Sequence, residues 1–389
     1  MSGSEFDSMV CFGGEDWWYH NRAHVDMQLM RRFAKWGTVL YVNSIVMQKP
    51  NLAEGRKFAQ KLCRKAKSIF TGLKRTDAGF WVYSPFSLPV HHISWAGYLN
   101  EMLLRFQILC VARKLNMNRP IIWVACPVAC NVAIKMKRQK LIYQRTDRFE
   151  EFPGVDAKRI KDYDKRLKTK ADLTIFVNNV LYEEEAGQCK RALYLDHGVD
   201  YDMFASAEND TQQPCDITNI PRPIIGFYGG FGEHTTDISL LEKVVDMMPN
   251  KSFVFVGRES PECGILANKK NVWMLGQKSY EQIPQYGKCF DVALMPWKQN
   301  RWIQACNPIK LKEYLALGKP IVSTPFNELD KYLDVVYEAK TPEDFAQSIE
   351  IALNEDSSER VAARRDKIIN ATWDSKAQML LKELFPEKQ

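Results

Sequence analysis

The chain has 389 residues, 46% hydrophobic and 26% charged, which is ordinary globular usage, excludes a disordered chain and fits two domains at roughly 150 residues or more apiece. Its formal net charge of +7 is too small and too diffuse to mark a nucleic-acid binder. The longest apolar run, Pro120 to Ile134, is too short to span a bilayer and contains Pro127 and Asn131. Neither a transmembrane helix nor a secretory signal is expected, and the chain is read as cytoplasmic.

The opening Met1-Ser2-Gly3-Ser4-Glu5-Phe6 reads as a cloning remnant without a function, with the native start at or near Met9. Phe12-Gly13-Gly14-Glu15-Asp16-Trp17-Trp18-Tyr19-His20 follows an apolar start and precedes a helical pattern over Arg22–Lys35, so its glycines suit a strand-to-helix turn. Aromatic faces stack on sugar rings, and polar neighbours bind hydroxyls. Glu15, Asp16, Trp17, Trp18 and His20 are therefore acceptor-binding candidates, with buried aromatic anchoring the other reading of the two tryptophans.

Nine Lys or Arg and one acid, Glu54, lie between Lys49 and Arg75, interleaved with Phe58, Leu62, Ile69 and Phe70. A basic amphipathic helix on an anionic membrane and a solvated surface helix both fit. His91-His92 carries no metal expectation, because adjacent residues do not share a face and no partner ligand is near in sequence. The ten cysteines, whose closest pair is Cys126 and Cys130, predict reduced thiols rather than zinc or disulfides.

Strands are predicted at Thr38–Val42, Phe80–Tyr83, Ile121–Ala125, Lys140–Gln144, Leu173–Val177 and Ala192–Leu195. Helices are predicted at Ser94–Leu115, Pro127–Lys137 and Asp156–Lys170. The alternation implies a parallel sheet covered by helices. Tyr143 to Phe152 follows one of these strands. Within it Asp147 can orient or deprotonate a hydroxyl, or else cap a helix or pair with Arg145 or Arg148.

Residues 206–222 are polar and turn-rich and read as a linker between a first domain at 9–205 and a second at 223–371. The alternation restarts with strands at Pro223–Tyr228, Ser252–Val256, Val272–Leu275, Val292–Met295, Pro320–Thr324 and Val335–Glu338. Residues 372–389 hold a last helix that crosses back to the first domain.

Two segments of the second half carry ligand chemistry. Gly229 and Gly230 lie in Gly226-Phe227-Tyr228-Gly229-Gly230-Phe231-Gly232-Glu233-His234, a turn that lets backbone approach a ligand. In Asn307-Pro308-Ile309-Lys310-Leu311-Lys312-Glu313, Asn307 suits an N-cap and Pro308 the first helical position. That helix start suits a phosphate, Lys310 can neutralise a pyrophosphate, and Glu313, on the same face, can accept from both hydroxyls of a ribose. A surface Lys–Glu pair on an ordinary helix is the plainer reading.

Glu313 to Val322, Asp196-His197-Gly198-Val199-Asp200 through Phe204, Asn271 to Gln277 and Thr372-Trp373-Asp374 together resemble the GT-B glycosyltransferases, in particular family four and a bacterial subgroup that builds exopolysaccharide or other cell-surface glycans. The resemblance implies an α/β protein of GT-B architecture, two Rossmann-like domains facing across a cleft. It implies a hexosyltransferase that retains configuration and needs no metal or cofactor. Such an enzyme takes a nucleotide sugar, UDP-linked by analogy, and a lipid-linked or polysaccharide acceptor, at the inner face of the membrane.

By the same resemblance Glu313 holds the ribose, and Asn307, Pro308, Ile309 and Lys310 hold the pyrophosphate. Gly13, Gly14, Gly229 and Gly230 line the phosphates and sugar, and Gln277 lies near the base. The family's earlier Glu falls at Ala305 here. Its Arg and Lys after the first strand of the second domain are also missing, which leaves His234, Arg258, Arg301 and Lys310 as donor-site candidates. The catalytic candidates are Lys310, Glu313 and, for an inverting course, Asp147 as base. A sugar-nucleotide epimerase and a non-catalytic partner of a glycan-assembly complex are the alternatives on the same fold.

Overall fold

The computed structural model describes residues 6–19, 23–45, 56–87, 94–232 and 234–386, in two compact units. The first unit takes Met1–Asp196 and Lys376–Gln389. Its strands are β1 (Ser8–Phe12), β2 (Thr38–Val42), β3 (Leu73–Arg75), β4 (Trp81–Tyr83), β5 (Ile121–Val124), β6 (Leu141–Arg145), β7 (Leu173–Phe176) and β8 (Ala192–Tyr194). They form one sheet in the order β3-β4-β2-β1-β5-β6-β7-β8, parallel except for the β3–β4 pair. Strands β1, β5, β6 and β7 are buried along their whole length, as helices on both faces of a parallel sheet require.

Phe6 is a core residue, 2% exposed and edge-on to Phe33 at 6.2 Å, and Gly37 leaves room for its ring. Strand β1 begins at Ser8, one residue before Met9.

Beneath β6 and β7 lies a buried ionic network. Arg145 bonds Glu150 (3.0 Å) and Glu185 (3.1 Å) and pairs with Asp164 (3.3 Å), while Lys168 bridges Asp164 (2.6 Å) and Glu185 (2.9 Å). The Tyr143 hydroxyl donates to Asp164 at 2.8 Å. Each of these charges faces an opposite charge, which offsets the cost of burial.

The second unit is His197–Ser375. Its strands are β9 (Ile224–Tyr228), β10 (Ser252–Val256), β11 (Val272–Met274), β12 (Val292–Met295), β13 (Ile321–Ser323) and β14 (Tyr337–Glu338), all parallel in the order β11-β10-β9-β12-β13-β14. Residues 206–222 are held inside this unit. Asp216 accepts from Lys278 (2.6 Å) and from the Tyr286 hydroxyl (2.8 Å), and Lys288 donates to the Asp210 carbonyl at 2.7 Å. The last helix, Trp373–Leu384, starts on a buried Trp373 packed over Gly198, and its residues from Lys376 onward count with the first unit.

Candidate functional site

In the second unit β9 lies between β10 and β12, so the chain leaves β9 toward one edge and β12 toward the other. The carboxyl ends at such a reversal are where open α/β sheets place ligands. Three turns line up there. Gly229 N–H donates to the Val256 carbonyl (2.8 Å), Gly257 N–H to the Gly276 carbonyl (2.9 Å) and Phe231 N–H to the Arg258 carbonyl (3.2 Å). Gly229 has φ +139°, a conformation that disfavours a side chain, and a Cβ on it would lie 2.4 Å from the Lys310 ammonium.

The helix Ile309–Ala316 follows β12. Its cap is Pro308, in an extended conformation (φ −75°, ψ 121°) and with no side-chain bond to the helix. This corrects the expected cap at Asn307: Pro308 stays extended, so the helix begins one residue later, and Asn307 is buried.

Lys310 points back over the turn of Gly229, its ammonium 4.7 Å from the ring centre of Phe227 and 4.6 Å from that of Trp297. One turn along, Glu313 is buried. Burial pushes its carboxyl up to about 7, although Lys310 and the hydroxyls of Tyr228 and Tyr280 favour the ionised form. Burial likewise pulls Lys310 down to about 8, against the attraction of Glu313. The Tyr228 hydroxyl is buried near that carboxyl without a hydrogen bond of full geometry, and the Tyr228 N–H takes the Tyr314 hydroxyl at 3.0 Å. The surface Lys–Glu reading is thereby set aside. A buried acid and a half-buried cation, each shifted toward neutrality by burial, form the kind of pair that clusters at functional sites.

The other donor-site candidates lie around this pair. Gly230 opens to solvent with nothing near its missing Cβ. His234, Arg258, Gln277 and Arg301 are exposed, the His234 carbonyl accepting from Asn300 at 2.8 Å. Ala305, in place of the family's earlier Glu, is buried.

In the first unit, Gly13 and Gly14 follow β1, which pairs with β2 on one side and β5 on the other. Gly13 N–H donates to the Val42 carbonyl (2.9 Å), and Gly14 N–H to Asp26 (2.8 Å), which also accepts from the Tyr41 hydroxyl (2.9 Å). Asp26 bonds the His24 ring as well. Burial favours the neutral imidazole, yet the carboxylates of Asp26, Glu15 and Asp147 outweigh it and hold His24 protonated up to about 9. His24 and Asp26 escaped the sequence reading. Their only signal is a His-x-Asp at a helix start.

Trp17 is a core residue, edge-on to Phe80 at 4.7 Å, and so offers no face for stacking on a sugar. Trp18 is half-buried under Lys74, whose ammonium is 5.6 Å from its ring centre. Asp16 accepts from the Ser68 hydroxyl (2.7 Å) and the Trp18 N–H (3.0 Å), and Glu15 is exposed. Asp147 is half-buried. The arginines expected to pair with it, Arg145 and Arg148, bond Glu150, Glu184 and Glu185. His20 and His91-His92 lie outside the described residues.

Residues 222–355 match the family model for glycosyl transferases, group 1. A Bacillus subtilis (strain 168) protein provisionally named as a teichuronic acid biosynthesis glycosyltransferase, TuaH, is 26% identical over 239 residues. That match covers 58% of this chain and 59% of the relative, so the chain spans under two thirds of it. Among solved structures, sucrose-phosphate synthase of Thermosynechococcus elongatus has TM-score 0.70 at 14% identity, over 98% of this chain and 100% of its own. A Rickettsia africae glycosyltransferase has TM-score 0.67 at 13% identity, over 98% and 99%. Anabaena HepE, solved with UDP and glucose, has TM-score 0.60 at 13% identity, over 98% and 95%. The fold is the GT-B architecture.

Proposed function

From a second unit whose residues 222–355 match the model for group 1 glycosyl transferases, we propose that the protein transfers a sugar from a nucleoside-diphosphate sugar, UDP-linked, to a hydroxyl of a cell-surface glycan or its lipid-linked precursor. The observation that carries this reading is the Lys310–Glu313 pair at the start of the helix after β12, with Lys310 laid against the Gly229 turn.

Glu313 accepts from the ribose hydroxyls. Lys310 and the first N–H groups of its helix take the diphosphate. Gln277 and Arg258 line the base and phosphate side. As the sugar C–O bond breaks, its electron pair goes to the diphosphate oxygen, and the charge that grows there meets Lys310 and the helix dipole. The acceptor oxygen bonds the anomeric carbon and passes its proton to the departing diphosphate oxygen. Family likeness favours retention without a metal, and Asp147 is the base if the course inverts. Glu15, Asp16 and Trp18 belong to the acceptor side.

Thermal unfolding with a panel of nucleoside diphosphates and UDP-sugars tests the donor site. UDP at about 100 times its dissociation constant should stabilise by about 2.7 kcal/mol. The shift should vanish in Glu313→Ala. No shift with any nucleotide sinks the assignment and favours the non-catalytic reading.

A further inference from the structure

The apolar surface left uncovered in the first unit is concentrated on the helix Ser94–Lys114. One face of that helix is core: Leu104, Ile108 and Ala112 are buried together with residues of β1, β2 and β5. The opposite face is apolar too. Leu99, Met102 and Phe106, spaced three and four apart, are 54%, 53% and 66% exposed. A helix packed on one side of a sheet ordinarily turns polar residues outward, so a second apolar stripe asks for a cover.

The cover is identified by charge. The strand β3, at the sheet edge, pairs Leu73 with Tyr83. The Tyr83 hydroxyl bonds Gln107 at 3.1 Å, which ties this sheet edge to the helix that carries the stripe. Just before β3, Phe70 is 89% exposed, with exposed Arg64, Lys67, Lys74 and Arg75 about it in the chain. No acid occurs from Cys63 to Arg75. On the long helix the one acid, Glu101, is engaged by Asn131 and Lys135, while Arg105 and Arg113 are exposed. Apolar side chains bordered by cations without matching acids suit a surface that is both oily and anionic. A second copy docked by the same face would set these cations against one another. The helix is neither long nor apolar enough to cross a bilayer, so it would lie on one.

We propose that Leu99, Met102, Phe106 and Phe70, with Arg64, Lys67, Lys74, Arg75 and Arg105, form a docking surface for an anionic phospholipid bilayer. The apolar side chains enter the acyl boundary, and the cations pair with headgroup phosphates. The membrane segment expected over Lys49–Arg75 is thus relocated. Its cations from Arg64 onward contribute, while the insertion is carried mainly by the next helix. The inference rests on exposure and charge, not on the donor-site reading.

Co-sedimentation with vesicles of phosphatidylglycerol and phosphatidylcholine, against phosphatidylcholine alone, tests it. The full chain should bind the anionic vesicles and not the zwitterionic ones. M102E/F106E should weaken binding at least about tenfold at low salt, with the melting temperature and any UDP-induced shift unchanged. R64E/K67E should also weaken it and flatten its salt dependence. The proposal is overturned if the wild type ignores anionic vesicles at low salt, or if M102E/F106E binds them as the wild type does. It is also overturned if the wild type is a dimer that M102E/F106E dissociates, which assigns the face to a second copy.

Discussion

Glu313 and Lys310 each bear a cost in the unliganded protein. Burial lifts Glu313 from its ordinary 4.5 to about 7, so the folded chain holds a proton that the unfolded chain releases, and stability falls as pH rises across that window. Lys310 is lowered from 10.5 to about 8, so the folded chain gives up a proton that the unfolded chain keeps, and stability falls as pH drops from about 10.5 toward 8. Between about 7 and 8 each group is at least half charged, the state in which the proposed ribose and diphosphate contacts form. The UDP-induced rise in melting temperature should peak there and shrink on both sides. A rise that is flat from pH 5 to 10 would detach the pair from nucleotide binding. The types and spacing of this pair were legible in the sequence. Its burial was not, because the groups around Glu313 include Tyr228 and Tyr280, which are distant in the chain.

At the scale of elements, strands buried on both faces read as continuous apolar runs, which is why Ser252–Val256 and Val292–Met295 fall where expected. The strand Leu73–Arg75 and the helix Asn179–Glu185 were missed. The first is short and basic, and the second is acidic, held by the Asn178 side chain capping the Leu181 N–H (2.8 Å) and by packing of Leu181. Polar stretches of that kind become regular only through tertiary partners.

Arg145 is the clearest case of such a partner. It ends β6 and gathers carboxylates from three other segments. Arg145→Met leaves Asp164 and Glu185 with Lys168 as their shared cation, beside the Tyr143 hydroxyl on Asp164, and should cost about 3–5 kcal/mol. The urea midpoint measures it, and an unchanged midpoint would mean that the network contributes nothing to the fold.

At the scale of the whole molecule, each unit closes its own core, one around β1, β2, β5 and β6 and the other around β9, β10, β12 and β13. The restart of the strand–helix alternation after residue 222 made two such units legible. Their division at His197 was not, because residues 206–222 look like a linker in composition and are pinned to the second unit by side chains far along the chain. All ten cysteines are free, and Cys63, Cys110 and Cys215 are exposed. Burial pushes Cys126 and Cys130 up to about 12. Titration with a thiol reagent under native conditions should therefore give three fast equivalents, with the remainder appearing on denaturation. More than five fast equivalents would show that the cores open readily.

The turns after β9 and β10 meet back to back. A Cβ at Gly257 would stand 1.7 Å from the Gly229 carbonyl oxygen, and one at Gly229 would strike Lys310. Gly257 is held to glycine by the Gly229 backbone, and Gly229 by its own φ and the Lys310 ammonium. A library that varies either should return mainly glycine, so altered ligand preference is better sought in the open positions beside them, beginning with Gly230.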